Sequence, residues 1–548
     1  MRVGAWVLAA VVGVMLTSAA AHAQGKAIVL FELHEAGGGG NVNIVGQCLA
    51  GDGRLLWGGG EQYVGVATAK IRERSVVAVP DGAGGAIAAF ELEWLEGENK
   101  GDVDIAAQRI SADGQLLWNE GDRSTLVASS KWRERNPVIV PDGAGGAIIF
   151  VEQHAPPGSE YAGDIDVAAQ RISADGKLLW GEGRKSVDVA SSPALERAVA
   201  AVPDGAGGAI AVFEFERRDG ENKGDVDIAA QRISADGQLL WNEGRRSTLV
   251  GYSKWQERKP VVVPDGKGGV IVFHEQWAPA DSRNAGDVDV AAQRLSPEGD
   301  LLWANGERSV DVGATTQIER NPVAIADGQG GAFVAFEIEM RAGEYKGDVD
   351  IAAQHVDSDG NLQWRKADDP RPVASSKWLE RRPYLVRDRD GGVIIFHEQW
   401  APAGSENEGD VDIAAQRVSS LGQLLWAEGR KSIDVGSSRQ IERLATAIPD
   451  GEGGAIAVFE FEMRGDDKSS SAVAQRISAD GQLLWNEGQR SVFMPRGDWL
   501  GRAAIVVPTE TAPVVVQGPP ADVTATRPRP AAAAPKKGHV DNKSKGED

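Results

Sequence analysis

A tetrapeptide ending in tryptophan recurs eight times along the chain, and its spacing restricts the fold more than any other feature. It reads RLLW, QLLW, KLLW, QLLW, DLLW, NLQW, QLLW and QLLW, ending at Trp57, Trp118, Trp180, Trp241, Trp303, Trp364, Trp426 and Trp485. The steps are 61, 62, 61, 62, 61, 62 and 59 residues. A fixed period of this size means a repeat architecture, in which each unit buries its apolar surface against its neighbours. A longer period lies over the first. SSKW-x-ER places Trp132, Trp255 and Trp378 at intervals of 123, and EQ-[HW]-AP places His154, Trp277 and Trp400 at the same interval. The natural unit is therefore a pair of repeats. The final pair departs most, with SSSA at Ser469–Ala472 where earlier copies have GDVD.

Residues 134–193 show what one unit folds into. ERNPVIVPDG is an apolar run stopped by Pro141-Asp142-Gly143, and GGAIIFVEQ is β-branched and aromatic. A polar loop, HAPPGSEYAGD, leads to IDVAAQRIS, a turn at Ala174-Asp175-Gly176, and KLLWGEGRKSVDVA as fourth strand and outgoing loop. Four short strands per unit, with turn residues between them and no helical period, predict an all-β protein. Eight such units around an axis make an eight-bladed β-propeller of four-stranded antiparallel blades. The chain enters at KAIVLFELHE, a second strand, and GRAAIVV at 501–507 matches a first strand. Arg502–Val507 is expected to complete the blade of residues 26–66, closing the ring and removing free sheet edges.

The flanks read differently. Arg2, the apolar run Trp6–Leu16 and Ala21-His22-Ala23 form a secretory signal peptide over 1–23, cleaved after Ala23. The run is too short for a membrane span, and no later segment is long and apolar enough. A secreted or periplasmic protein without membrane insertion is expected. The propeller takes 24–517, and the Pro/Ala-rich, then charged, tail at 518–548 reads as disordered. Cys48 is the only cysteine, so no intramolecular disulfide forms and packing alone must hold the fold. A net charge of −22 disfavours nucleic acid and anionic membranes as partners.

The string PVIVPDGAGGAIIF…DVAAQRISADGKLLW resembles the repeats of the quinoprotein-type eight-bladed propellers, across roughly residues 26–507. In that family a Gly-x-x-x-Trp turn docks each blade on the next. The matching glycines are Gly53, Gly114, Gly176, Gly237, Gly299, Gly360, Gly422 and Gly481. Two positions upstream, usually a small residue and an Asp, hold Gln108 and Ile110. SADGQLLW also resembles the Asp-box of sialidase-type propellers, with its Gly one place early. The resemblance implies that first strands line a central channel. It also implies that their entry loops share a face with the loops between second and third strands.

On that face the first strands carry Arg74, Arg135, Arg197, Arg258, Arg320, Arg381, Arg443 and Arg502. All but Arg502 follow a glutamate, including Glu134, Glu257 and Glu380. A ring of alternating charge is expected at the channel mouth, with arginines able to clamp carboxylate or phosphate; inter-blade pairing is the structural alternative. Trp94, Trp132, Trp255, Trp277, Trp378 and Trp400, beside Glu152, Glu275 and Glu398, suit a sugar or peptide. GDVD or GDID recurs six times, as at Asp102/Asp104 and Asp287/Asp289. Alternate aspartates share one side of a strand and offer oxygens to Ca²⁺, but Ca²⁺ takes about six to eight, so a turn role competes. No other cofactor is expected.

Catalysis has less to stand on. The histidines are read as sharing no repeat position, and His355 and Cys48 replace the arginine after Gln without a visible partner. A quinone-dependent dehydrogenase is disfavoured by the absence of long insertions and of an adjacent-cysteine pair. The expectation is an exported, non-enzymatic, monomeric platform for a protein or glycan ligand. The alternatives are a polysaccharide-acting hydrolase or lyase using carboxylates on the same face, and a periplasmic assembly scaffold.

Overall fold

The computed structural model describes residues 26–508, apart from 36–39, 252, 430, 465–469, 489–490 and 496–498. The expected signal segment 1–23 and tail 518–548 lie outside the described residues. Strands of eight or nine residues dominate, as at Arg133–Pro141, Ala147–His154 and Ile165–Ile172. Second and third strands read as near-continuous apolar runs because a neighbouring blade covers each face. Ala147–Val151 and Val167–Gln170 are buried throughout.

The strands form eight four-stranded antiparallel blades arranged as a β-propeller, grouped in four eight-stranded sheets. Within each sheet a single parallel bridge joins two blades, at Val42↔Arg72, Ile165↔Leu195, Val288↔Ile318 and Val411↔Ile441. The 123-residue sequence unit is thus one sheet. We number the blades from the N-terminal one, so that blade 2 begins at Arg72, blade 3 at Arg133 and blade 8 at Ile441. Each first strand packs against the first strands of both neighbouring blades, so these strands form a closed ring. Trp499–Pro508 supplies the first strand of blade 1, pairing antiparallel with Ala27–Glu35. Ala27, Val29, Phe31 and Leu33 then pack on Ile448, Ile456 and Val458 of blade 8.

Repeated side chains weld the seams. Trp118 donates its indole N–H to Ala174 O of the next blade at 3.0 Å. Its ring lies on Gly176, where a Cβ would come within 2.7 Å. The last contact of this kind runs from Trp485 to Gly51 O at 2.9 Å, across the closure. In blades 2 to 7 the first strand also carries a bulge with a residue in the left-handed region, such as Asn136 (φ 52°) and Asn321 (φ 52°). The freed N–H of Asn321 donates to Glu275 Oε1 of the preceding blade at 2.6 Å.

The fourth strand differs from expectation. Leu178 makes only an isolated bridge to Ile172, and the strand proper is Val187–Ala190. Gln170 explains the detour: its Oε1 accepts Trp180 N–H at 2.9 Å and its Nε2 donates to Lys185 O at 2.8 Å. The chain loops out between these anchors while Trp180 turns onto the next blade. No helix among the described residues is long and apolar enough to cross a membrane.

Candidate functional site

The Glu-Arg dipeptide at the start of each first strand divides between two environments, because neighbouring residues of a strand face opposite ways. The arginine stands with the second-strand glutamate: Arg135 is the register partner of Glu152, Arg258 of Glu275 and Arg381 of Glu398. The glutamate turns into the seam with the previous blade. Glu134, Glu257 and Glu380 are each 0% exposed, so the expected alternating ring does not form. Arg502, the eighth arginine of that ring, has no described side chain.

In the seam these glutamates meet the GDVD aspartates. Glu134 Oε1 accepts Ser130 Oγ–H at 2.5 Å, and Ser253 and Ser376 serve Glu257 and Glu380 at 2.7 and 2.5 Å. Burial, opposed by the serine hydroxyl, pushes Glu134 and Glu380 up from 4.5 to about 7, and Asp104 and Asp350 respectively add to the rise. Glu257 is raised for the same reason and shares a hydrogen bond with Asp227.

Glu275 and Glu398 are likewise 0% exposed and not free to act on a substrate. Glu398 Oε1 accepts Leu444 N–H of the next blade at 3.0 Å and Arg382 Nη1–H at 3.0 Å. Glu275 Oε2 and Glu398 Oε2 accept the indole N–H of Trp277 and Trp400 at 2.7 and 2.8 Å. The expectation of accessible acids there is corrected: these groups latch blades and orient tryptophans. Trp277 remains 38% exposed. Trp132, Trp255, Trp378 and Trp400 are partly buried, with Tyr161 6.2 Å from Trp132 and the Arg443 guanidinium 4.9 Å from the Trp400 ring. Trp94 donates to Asp104 Oδ2 at 2.7 Å.

Around the mouth the arginines are of two kinds. In blades 2, 4 and 6 each is held by two carboxylates: Arg74 by Glu91 and Glu93 (3.0, 3.2 Å), Arg197 by Glu214 and Glu216 (3.2, 2.7 Å), Arg320 by Glu337 and Glu339 (3.3, 2.6 Å). In blades 3, 5 and 7 Arg135, Arg258 and Arg381 make no ion pair among the described residues. Arg258 donates to Gln256 Oε1 at 2.8 Å, and the Arg381 Nε–H has no partner. The outer carboxylates Glu93, Glu216 and Glu339 keep 20–27% of their side-chain surface exposed.

Two histidine readings also change. His274 and His397 do share a repeat position, 123 residues apart in the HEQW of blades 5 and 7. Both are fully buried without hydrogen bonds, and burial lowers them to about 4 and about 3. His355 has a partner after all: its Nε2 lies 2.9 Å from Asp327 Oδ2, where Arg294 meets Asp265 one blade earlier. Cys48 is buried and its thiol is pushed up to about 11, which removes it as a nucleophile.

No family model and no curated protein matches this chain. Solved structures do. An ulvan lyase from a new family of polysaccharide lyases aligns at 11% identity and TM-score 0.42, over 76% of this chain and 96% of that one. A Trypanosoma rangeli sialidase aligns at 11% and 0.32, over 78% and 72%. A thermostable family-43 glycoside hydrolase aligns at 11% and 0.30, over 56% and 96%. At these identities the likeness concerns the fold, a multi-bladed β-propeller. The names of these neighbours are those of carbohydrate-acting enzymes, against the expectation of a non-enzymatic platform. Near-identical repeats suggest a uniform mouth, whereas in blades 2 to 7 the arginines alternate between paired and unpaired.

Proposed function

We propose that the chain is a polysaccharide-acting hydrolase or lyase whose substrate is acidic and lies across the mouth of the propeller. The alternation of unpaired Arg135, Arg258 and Arg381 with the part-exposed, arginine-paired carboxylates Glu216 and Glu339 carries this reading. An arginine without a carboxylate partner is matched to an incoming carboxylate or sulfate through paired N–H donors. Trp277, 38% exposed and two residues along the second strand from the register partner of Arg258, offers a ring face on which a sugar stacks. Glu216 and Glu339, on the blades flanking Arg258, are the acids left accessible for proton transfer. The reading of residues 1–23 as a cleaved secretory leader supports a secreted or periplasmic enzyme, where such polymers are met.

The test is a screen of the purified chain on neutral, uronate-containing and sulfated polysaccharides. New reducing ends are read together with the absorbance of unsaturated uronate, which separates lyase from hydrolase. Product is expected from an acidic polymer only. Arg258→Ala with Arg381→Ala should raise KM, and Glu339→Gln should lower kcat by about 10² or more. Absence of product across the panel sinks the proposal.

A further inference from the structure

We propose that Asp410, Asp412 and Glu442 bind a Ca²⁺ ion in the seam between blades 7 and 8. Their carboxylates offer ligand atoms that all lie within 4.8 Å of one another. Asp410 is 5% exposed and Glu442 2%, yet Asp410 Oδ1 and Glu442 Oε2 have no hydrogen-bond partner. A buried, unsatisfied carboxylate oxygen is costly, and a cation between such oxygens removes the cost. The nearest cationic side chain, Arg464, stands 4.0 Å from Asp410 Oδ1, beyond hydrogen-bond distance, and donates to Glu408 O at 2.6 Å instead.

The donor set is all oxygen, which selects a hard cation over zinc or copper. Beside the three carboxylates stand two hydroxyls. Ser438 Oγ lies 2.5 Å from Glu442 Oε1, and Ser437 Oγ 3.4 Å from Asp412 Oδ2. Three carboxylates, two hydroxyls and water meet the six to eight oxygens, roughly, that Ca²⁺ takes.

The other seams vary the same construction as a site would. Asp-x-Asp, a Ser or Thr, and a Glu four residues after it recur together at six seams. Between blades 1 and 2 the set is Asn41, Asn43 and Ala69 before Glu73; in the last copy of the sequence the matching positions are Ser469, Ser471, Gly497 and Gly501. The aspartates and the hydroxyl are thus lost together in both copies, and the glutamate with them in the last, which a turn-forming role for the aspartates does not require. Where the full set remains, positive charge is often built in. Arg217 Nη1 donates to both Asp225 Oδ2 and Asp227 Oδ2 at the seam of blades 4 and 5. Arg218 holds Asp164 at 3.1 Å, and Arg341 holds Asp287 at 2.9 Å. At the seam of blades 7 and 8 the equivalent arginine, Arg464, stands further off, with its Nη1 4.0 Å from Asp410 Oδ1.

The inference does not depend on the proposed substrate and is tested on the full chain after chelator treatment and dialysis. CaCl₂ is titrated by calorimetry, bound calcium is counted, and melting is followed with and without the ion. Saturable binding and a rise in Tm of several degrees are expected. The combined variant Asp410→Asn, Asp412→Asn, Glu442→Gln should bind one calcium fewer and lose part of that rise. If that variant does not fold, Asp412→Asn alone should weaken the site by at least about tenfold. Asp225→Asn with Asp227→Asn, at the seam that Arg217 fills, should leave the calcium count unchanged. No calcium bound by the native chain, the same count in the combined variant, or tighter binding of Mg²⁺ than of Ca²⁺ would overturn the assignment.

Discussion

Glu196 sits 1% exposed in the seam of blades 3 and 4, where its Oε1 accepts Ser192 Oγ–H at 2.5 Å. Burial raises it from 4.5 to about 8; the serine bond opposes the rise, and Asp166 and Asp164 add to it. The folded chain therefore holds this proton more tightly than the unfolded one. The stabilisation is fully present below pH 4.5 and is lost as pH rises towards about 8. Glu196→Gln, which keeps the shape without the ionisation, should flatten the decline of Tm across that window; an unchanged slope would show that the burial is relieved another way. The Glu-Arg dipeptide itself was plain in the sequence. What was not plain is that its halves part, since a strand start shifted by one residue exchanges the two faces. Nor does a sequence state that Glu275 and Glu398 spend their oxygens on the N–H of Asn321 and Leu444 in the following blade.

At the scale of the element, the Ala-Asp-Gly turn was legible because Gly176 needs a positive φ (82°) and lies against an indole. Gly176→Ala forces strain of about 1–3 kcal/mol from the backbone alone, to which the clash with Trp118 adds. A fall in unfolding free energy of at least that size, read from denaturant titration, is expected, and a smaller one would mean that the turn shifts freely on its neighbour. The fourth strand was misplaced for a local reason. LLW carries the apolar, aromatic signature of a strand, but its tryptophan serves the next blade and Gln170 bonds the loop that lets it do so. Apolar periodicity reports that a side chain is buried, not against which blade.

For the whole molecule, the count of blades and the closing strand followed from the period and from which partial repeat stood at each end. Within the described ring there is no disulfide, so the seal rests on the pairing of Ala27–Glu35 with Trp499–Pro508 and on the apolar contacts behind it. Removal of residues 501–517 should lower Tm markedly, and an unchanged melt would show that the other blades hold the ring unaided. The mouth was only half legible. The tryptophans and arginines were found from their spacing, while the pairing that separates Arg197 from Arg258 depends on Glu216 opposing one and Trp277 accompanying the other.

The closing pair also governs how the protein meets mechanical load. Ala27 and Pro508 are register partners at one end of the antiparallel pair. Tension applied between the two ends of the described chain would part the hydrogen bonds one after another, as a zipper opens, instead of shearing them together. A propeller tethered through both ends would therefore open at this seam at low force. Held by either end alone, it would carry the same force without loading the seam.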